Sequence, residues 1–277
     1  MVQIITDSST LYTEEEGKAL GIVPIPLCVT IGEKEIRDLS IPVEAFIADI
    51  DAGHIPVSSQ PPIGDVLEVF ERYKGSTIIN LSMGDGLSGT YQTACSAREM
   101  AENREDITVV NTRTLCGPHR YMVECAAAMA REGQSKEAIL QMVEEKMAST
   151  KSYLIPQDFA YLKRGGRLSP TAAWIGSLLN IKPIVVLNKE GARLDKFGTG
   201  RTLKGAVKAV FKQMERDRVG EKDILYIAHG AVPEDAEMIR DMALERFPGI
   251  DVRILLLSHV FITQGGPGCV ALQHVQK

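Results

Sequence analysis

The chain has 277 residues, 44% of them hydrophobic and 24% charged, the balance of a globular protein of one large or two medium domains. Its 31 Lys and Arg against 36 Asp and Glu leave a net charge of −5, which argues against nucleic acid as the main partner, because that binding rests on concentrated positive charge. No apolar run nears the ~18 residues of a membrane span, and the opening MVQIITDSS shows no basic-then-apolar leader. The expectation is a cytoplasmic chain with no integral membrane segment.

Residues 2–5 read as a short strand closing on Thr6-Asp7-Ser8-Ser9, and 13–20 as a helix with acids in its first turn. Residues 22–30 read as one strand, with polar 32–38 an excursion or hairpin. Helices follow over 42–51 and 61–73, each with a proline near its start, where the missing N–H costs nothing. Strand 77–81, helix 88–102, strand 107–110 and helices 118–131 and 136–148 complete a strand–helix rhythm. That rhythm predicts a mostly parallel sheet flanked by helices.

After residue 151 the rhythm changes. Gly165-Gly166 breaks the chain, 171–179 reads as a short apolar helix, and 184–188 and 192–197 as strands joined by a tight turn at 189–191. Helix 201–216, strand 224–228, helix 234–245 and strand 252–257 predict a second, mixed α/β domain. The boundary falls at 150–155, giving an N-terminal domain over 1–152 and a C-terminal one over 153–277, packed together with a cleft between them.

Five cysteines, Cys28, Cys95, Cys116, Cys125 and Cys269, include no C-x-x-C pair and read as ordinary thiols, with no metal site. Gly84-Asp85-Gly86-Leu87-Ser88-Gly89 is a literal G-x-G-x-x-G between a strand and a helix. A dinucleotide fold uses such glycines to let a pyrophosphate approach the backbone, and places an acid at the tip of the following strand. Here that tip reads Val109-Val110-Asn111-Thr112, without a carboxylate. Gly86-Leu87-Ser88-Gly89-Thr90 likewise misses the hydrolase elbow by one residue, and Ser88 has no suggestive histidine nearby in sequence.

What Ser88 and Gly89 do offer is a hydroxyl and N–H groups at a helix start, which attract an anion. The plainer reading is that Ser88 only caps its own helix. Val57-Ser58-Ser59-Gln60-Pro61-Pro62 reads as a second helix entry, with Ser59 as cap and Ser58 as a spare donor. Thr6-Asp7-Ser8-Ser9 is a third hydroxyl-rich turn. Ligands of such sheets gather beyond the carboxyl ends of the strands, so all these turns are expected to converge on one small anion. In the second half, Lys163, Arg164 and Arg167 surround the glycine pair, a pattern equally suited to a solvated loop. Lys204, Lys208, Lys212 and Arg216 share one helix face, most simply a wet surface and otherwise a dock for an acidic partner. Gly265-Gly266-Pro267-Gly268 reads as a rigid turn.

Taken together, Thr6-Asp7-Ser8-Ser9, Ser58-Ser59-Gln60-Pro61-Pro62, Leu87-Ser88-Gly89-Thr90-Tyr91-Gln92, Gly165-Gly166-Arg167-Leu168, Ile181-Lys182-Pro183-Ile184 and Gly266-Pro267-Gly268 resemble the DegV family of bacterial fatty-acid-binding proteins along the whole chain. The resemblance implies two α/β domains with one long-chain fatty acid buried between them. Its carboxylate would be held by Ser58, with Ser59 beside it, and by Ser88 with the adjacent N–H of Gly89. It implies a non-catalytic carrier without cofactor, presenting the acid to a separate fatty acid kinase that makes acyl phosphate for phospholipid synthesis. Arg167 would then lie near the exposed carboxylate, aiding phosphate or kinase contact.

Gln264 stands where the family commonly has histidine, so a group able to carry charge near neutral pH is lost while a hydrogen-bond donor is kept. Asn111 stands where many members have aspartate. Burying an acyl chain of about sixteen carbons at ~0.8 kcal/mol per methylene yields roughly 10 kcal/mol before binding costs, so the tail supplies affinity and the hydroxyls supply direction. The alternatives are a nucleotide-cofactor enzyme using Gly84, Gly86 and Gly89, and a lipid-binding sensor without kinase coupling.

Overall fold

The computed structural model describes residues 2–172 and 181–277. The chain divides into two compact units, Met1–Ala148 and Ser149–Lys277. The helix expected over 171–179 falls at positions that lie, from 173 on, outside the described residues.

In the first unit the elements are β1 (Val2–Asp7), α1 (Glu14–Leu20), β2 (Ile22–Ile25), β3 (Cys28–Ile31), β4 (Lys34–Arg37), α2 (Val43–Asp51), β5 (Val57–Ser59), α3 (Ile63–Arg72), β6 (Thr77–Ser82), α4 (Thr90–Met100), β7 (Ile107–Asn111), α5 (Cys116–Arg131) and α6 (Lys136–Ser149). Four strands form a parallel sheet in the order β2-β1-β6-β7. Successive side chains of a strand point to opposite faces, and β1 shows it directly. Ile4 packs with Ile79 and Leu81 against Met122, Val123 and Ala126 of α5 and Ile139 and Val143 of α6. Ile5, one residue on, packs with Ile78 and Ile107 against Val66 and Phe70 of α3 and Ala94 and Ala97 of α4. Each such fully buried aliphatic or aromatic side chain contributes about 1.5–3 kcal/mol, and both faces of the sheet are covered.

Two expectations are corrected here. Residues 22–30 are not one strand: β2 is an edge strand of the parallel sheet, whereas β3 belongs to a separate antiparallel sheet of order β4-β3-β5. Pro26, between them, has no N–H to continue a ladder. The excursion at 32–38 is the β3–β4 hairpin, turning at Gly32 with φ 58°. Residues 57–59 do not enter a helix but form β5, pairing Ser58 with Val29 and Ser59 with Cys28. The N-cap position of α3 is Pro62, and no side chain caps it, so Ser59 is not the cap.

The second unit comprises β8 (Lys151–Ile155), α7 (Phe159–Gly165), β9 (Lys182–Leu187), β10 (Leu194–Gly200), α8 (Leu203–Arg216), β11 (Asp223–His229), α9 (Pro233–Arg246), β12 (Asp251–Leu256), α10 (His259–Gly265) and β13 (Val270–Gln276). Its six-stranded sheet runs β10-β9-β8-β13-β11-β12; β11 and β12 are parallel and the other neighbours antiparallel. The core joins Tyr153, Leu225, Ile227 and Leu272 of the sheet to Val207, Val210 and Phe211 of α8 and Ile239 of α9. Among the described residues, no helix is long and apolar enough to cross a membrane and no cluster of His, Cys, Asp or Glu is placed to hold a metal.

Candidate anion-binding turns

The loop leading from β6 to α4 is fixed at successive residues. Met83 N–H donates to Asp7 Oδ2 at 2.8 Å, Gly84 N–H to Thr114 O at 2.8 Å and Asp85 N–H to Asn111 Oδ1 at 3.1 Å. Gln92 Nε2 donates to Asp85 Oδ2 at 2.9 Å. Gly86 has φ 91°, a left-handed conformation costly for any residue with a Cβ. Asn111, at the tip of β7, also accepts from Arg113 N–H at 3.0 Å. Its side-chain oxygen therefore shapes this loop, a task an aspartate could also perform.

The loop delivers Gly89 to the N-cap position of α4, where no side chain caps the helix. First-turn N–H groups without an acceptor side chain, at the positive end of the helix dipole, suit an anion. Ser88 does not cap: its half-buried hydroxyl lies 2.8 Å from Thr90 Oγ1, so one of the paired hydroxyls keeps a proton to donate elsewhere. A serine–histidine pair of this unit is formed instead by Ser9 Oγ and His119 Nδ1 at 2.9 Å, and both residues are fully buried.

The residue after β5 reaches the same loop. A Cβ built on Gly89 would sit 3.2 Å from Oε1 and Cδ of Gln60, so the side chain of Gln60, which directly follows Ser58 and Ser59 of β5, lies against Gly89. Gly89 has an ordinary φ of −71°, so its backbone conformation does not require glycine. Ser58 is half-buried, and Ser59 and Gln60 are exposed.

The Thr6–Ser9 turn does not join them, which corrects the expected convergence of all the hydroxyl-rich turns. Thr6 Oγ1 donates to Leu81 O at 2.9 Å, Ser8 Oγ to Asp38 Oδ2 at 2.7 Å, and Ser9 Oγ is held by His119. Thr6, Asp7, Ser8 and Ser9 are all 2% exposed or less. Burial lowers the basicity of His119, partly offset by the charge of Asp7 and the bond to Leu81 O, so the network is built around a neutral imidazole.

In the second unit Lys163 and Arg164 are helical, since Asp158 caps α7 and Gly166, with φ 71°, ends it, while Arg167 lies beyond the helix. Arg167 donates to Gly165 O, and a Cβ on Gly165 would fall 2.0 Å from Gln264 Oε1. Arg167 and Gln264 are thus brought together around one glycine. Burial, and then the charge of Arg193, lower the basicity of the Arg167 guanidinium. Arg193 itself donates to Gly166 O at 2.7 Å.

Asp7, Asn111 and Gln60 take parts that no local spacing signals, since Asp7 meets Met83 across 76 residues and Asn111 meets Asp85 across 26. The fold and these turns define an α/β protein with hydroxyls and an uncapped helix start gathered beyond one end of a parallel sheet. A family model described as "Uncharacterised protein, DegV family" matches residues 1–277, and the chain belongs to the DegV family. A DegV domain-containing protein of Clostridium perfringens is 33% identical over 97% of this chain and 95% of its own length. A fatty-acid-binding DegV family protein from Thermus thermophilus superposes with a TM-score of 0.90 at 26% identity, covering 100% of this chain and 99% of that one. DegV of Bacillus subtilis, described as a fatty acid binding protein, gives 0.88 at 27% identity over 100% and 99% of the two chains.

Proposed function

We propose that this protein binds a long-chain fatty acid, gripping its carboxylate between Ser58-Ser59 at the end of β5 and the Ser88-Gly89 turn. The observation that carries the reading is the Gln60 side chain, directly after Ser58 and Ser59, lying against Gly89 at an uncapped helix start. Ser58 and Ser88 supply hydroxyl donors and Gly89 an N–H, with Ser59 at the exposed edge. The fatty-acid-binding relatives from Thermus thermophilus and Bacillus subtilis support the choice of ligand. Hydrogen bonds to an ionised carboxylate are worth about 1.5–3 kcal/mol each, enough to orient the head, while the chain supplies most of the affinity.

The dinucleotide alternative gains no support from the glycine loop, because the β7 tip presents Asn111 and its side-chain oxygen is already bonded to Asp85 and Arg113. Lipid extracted from the purified protein and identified by mass spectrometry tests the reading. A co-purifying long-chain acid supports it, and a nucleotide in its place overturns it.

As part of the same proposal, the protein acts as a carrier without cofactor or catalytic group. It presents the carboxylate to a fatty acid kinase for acyl phosphate formation and so serves phospholipid synthesis. Arg167 and Gln264 contact the phosphate or the kinase. The half-buried guanidinium of Arg167, which like Gln264 borders Gly165, supports this, since such a cation is already partly stripped of water before a partner arrives. Incubating the loaded protein with a competent fatty acid kinase and ATP tests it. Acyl phosphate is expected, with more turnover in Gln264→His; its absence leaves a lipid-binding sensor and overturns the kinase step.

A further inference from the structure

The buried turn at the end of β1 does not touch the proposed grip, yet its side chains hold both halves of it. Asp7 Oδ2 accepts from Met83 N–H at 2.8 Å and Oδ1 from Ser9 N–H at 3.0 Å. Met83 opens the loop that ends at Ser88. The Ser8 hydroxyl accepts from Leu27 N–H at 3.1 Å and donates to Asp38 Oδ2 at 2.7 Å, while Asp38 N–H donates to Leu27 O at 2.8 Å. Leu27 immediately precedes β3 and Asp38 immediately follows β4, so Ser8 clasps the open end of the hairpin. The hairpin in turn carries β5, with Val29 opposite Ser58. Adjacent residues of one rigid turn therefore fix the loop of Ser88 and the strand of Ser58 relative to the same strand end.

We infer that Asp7 and Ser8 are positioning residues that set the spacing of the carboxylate grip. The inference rests on the proposed fatty-acid site and adds to it the residues that keep it in register. The physical reason is preorganisation: a polar site must hold its donors to within about 0.5 Å to favour a charged head over a neutral one. Both residues are 2% exposed, and their side chains are engaged by Met83, Ser9, Leu27 and Asp38. A merely structural role would lower stability without changing which head group is preferred.

The test is a binding titration of the full-length protein, stripped of lipid, with hexadecanoic acid and with hexadecanol. The isosteric Asp7→Asn sets an amide NH2 against either Met83 N–H or Ser9 N–H, and Ser8→Ala removes the clasp. Ile4→Val, in the same strand but outside the network, controls for general destabilisation. Asp7→Asn and Ser8→Ala are expected to lower the preference for acid over alcohol about tenfold, with hexadecanol affinity within about twofold of the parent and the Ile4→Val preference unchanged. If Asp7→Asn does not fold, Ser8→Ala decides alone. A preference lost in Ser88→Ala but kept in the Asp7 and Ser8 variants overturns the positioning role alone, as does an equal loss in Ile4→Val. A parent protein with no preference for the acid overturns this role and the carboxylate grip together.

Discussion

Serines 8, 58 and 88 sit in similar hydroxyl-rich stretches, and only their surroundings separate them. Ser8 is buried and bonded to Leu27 and Asp38, whereas Ser88 is half-buried at an uncapped helix start. Ser88→Ala removes a donor without opening a core cavity. It is expected to weaken fatty-acid binding about tenfold or more, a charge-assisted bond being worth roughly 1.5–3 kcal/mol, while the unfolding free energy stays within about 0.5 kcal/mol of the parent. Calorimetric titration beside a denaturant melt checks both halves; unchanged affinity would leave Ser88 as a neighbour of Thr90 and nothing more. Which hydroxyls face inward cannot be read from sequence, because Thr6-Asp7-Ser8-Ser9 and Val57-Ser58-Ser59 differ mainly in contacts made tens of residues away.

Among the elements, the parallel strands were legible for a simple reason. Ile4, Ile5, Ile78 and Ile79 are buried on both faces, so these strands read as continuous apolar runs. Strands β8 and β13 were not legible, although they are neighbours inside the second sheet. Their buried positions include Ser152, Gln273 and His274, and Gln273 Nε2 donates to Ser152 Oγ at 2.8 Å, a pairing no local pattern announces. Helix α10 carries little signal in the sequence because it is short and runs straight into Gly265-Gly266. Its exit also carries a sharp constraint: Gly266 has φ 80°, and a Cβ there would lie 2.8 Å from the Tyr161 ring. Gly266→Ala is expected to cost about 1–3 kcal/mol through strain and overpacking, measured as a lower denaturant midpoint. A midpoint unchanged within error would show that α7 and α10 accommodate the methyl freely.

At the scale of the whole molecule, stability should depend on pH through its buried histidines. His274 lies in β13, 5% exposed and with no hydrogen-bond partner for its ring nitrogens among the described residues, and burial pushes it down to about 4, against the smaller opposing pull of Asp223 and Asp217. Burial also lowers His119 and His229. The unfolded chain takes up protons near the ordinary histidine value of about 6.5, and folded His274 only near 4. Between those values the unfolded state binds more protons, so stability falls as pH drops through the window. His274 alone accounts for up to about 3 kcal/mol of that loss. Denaturant melts at pH 7.5 and 4.5 should show it, with the dependence reduced in His274→Leu. A flat profile would contradict the buried, neutral state of His274.

The most direct measurement of the central claim is a crystal structure of the protein loaded with hexadecanoate. The carboxylate is expected within hydrogen-bonding distance, about 2.6–3.0 Å, of the hydroxyls of Ser58 and Ser88 and near the N–H of Gly89. A carboxylate bound away from these turns, or the turns filled by a nucleotide phosphate, would contradict the account.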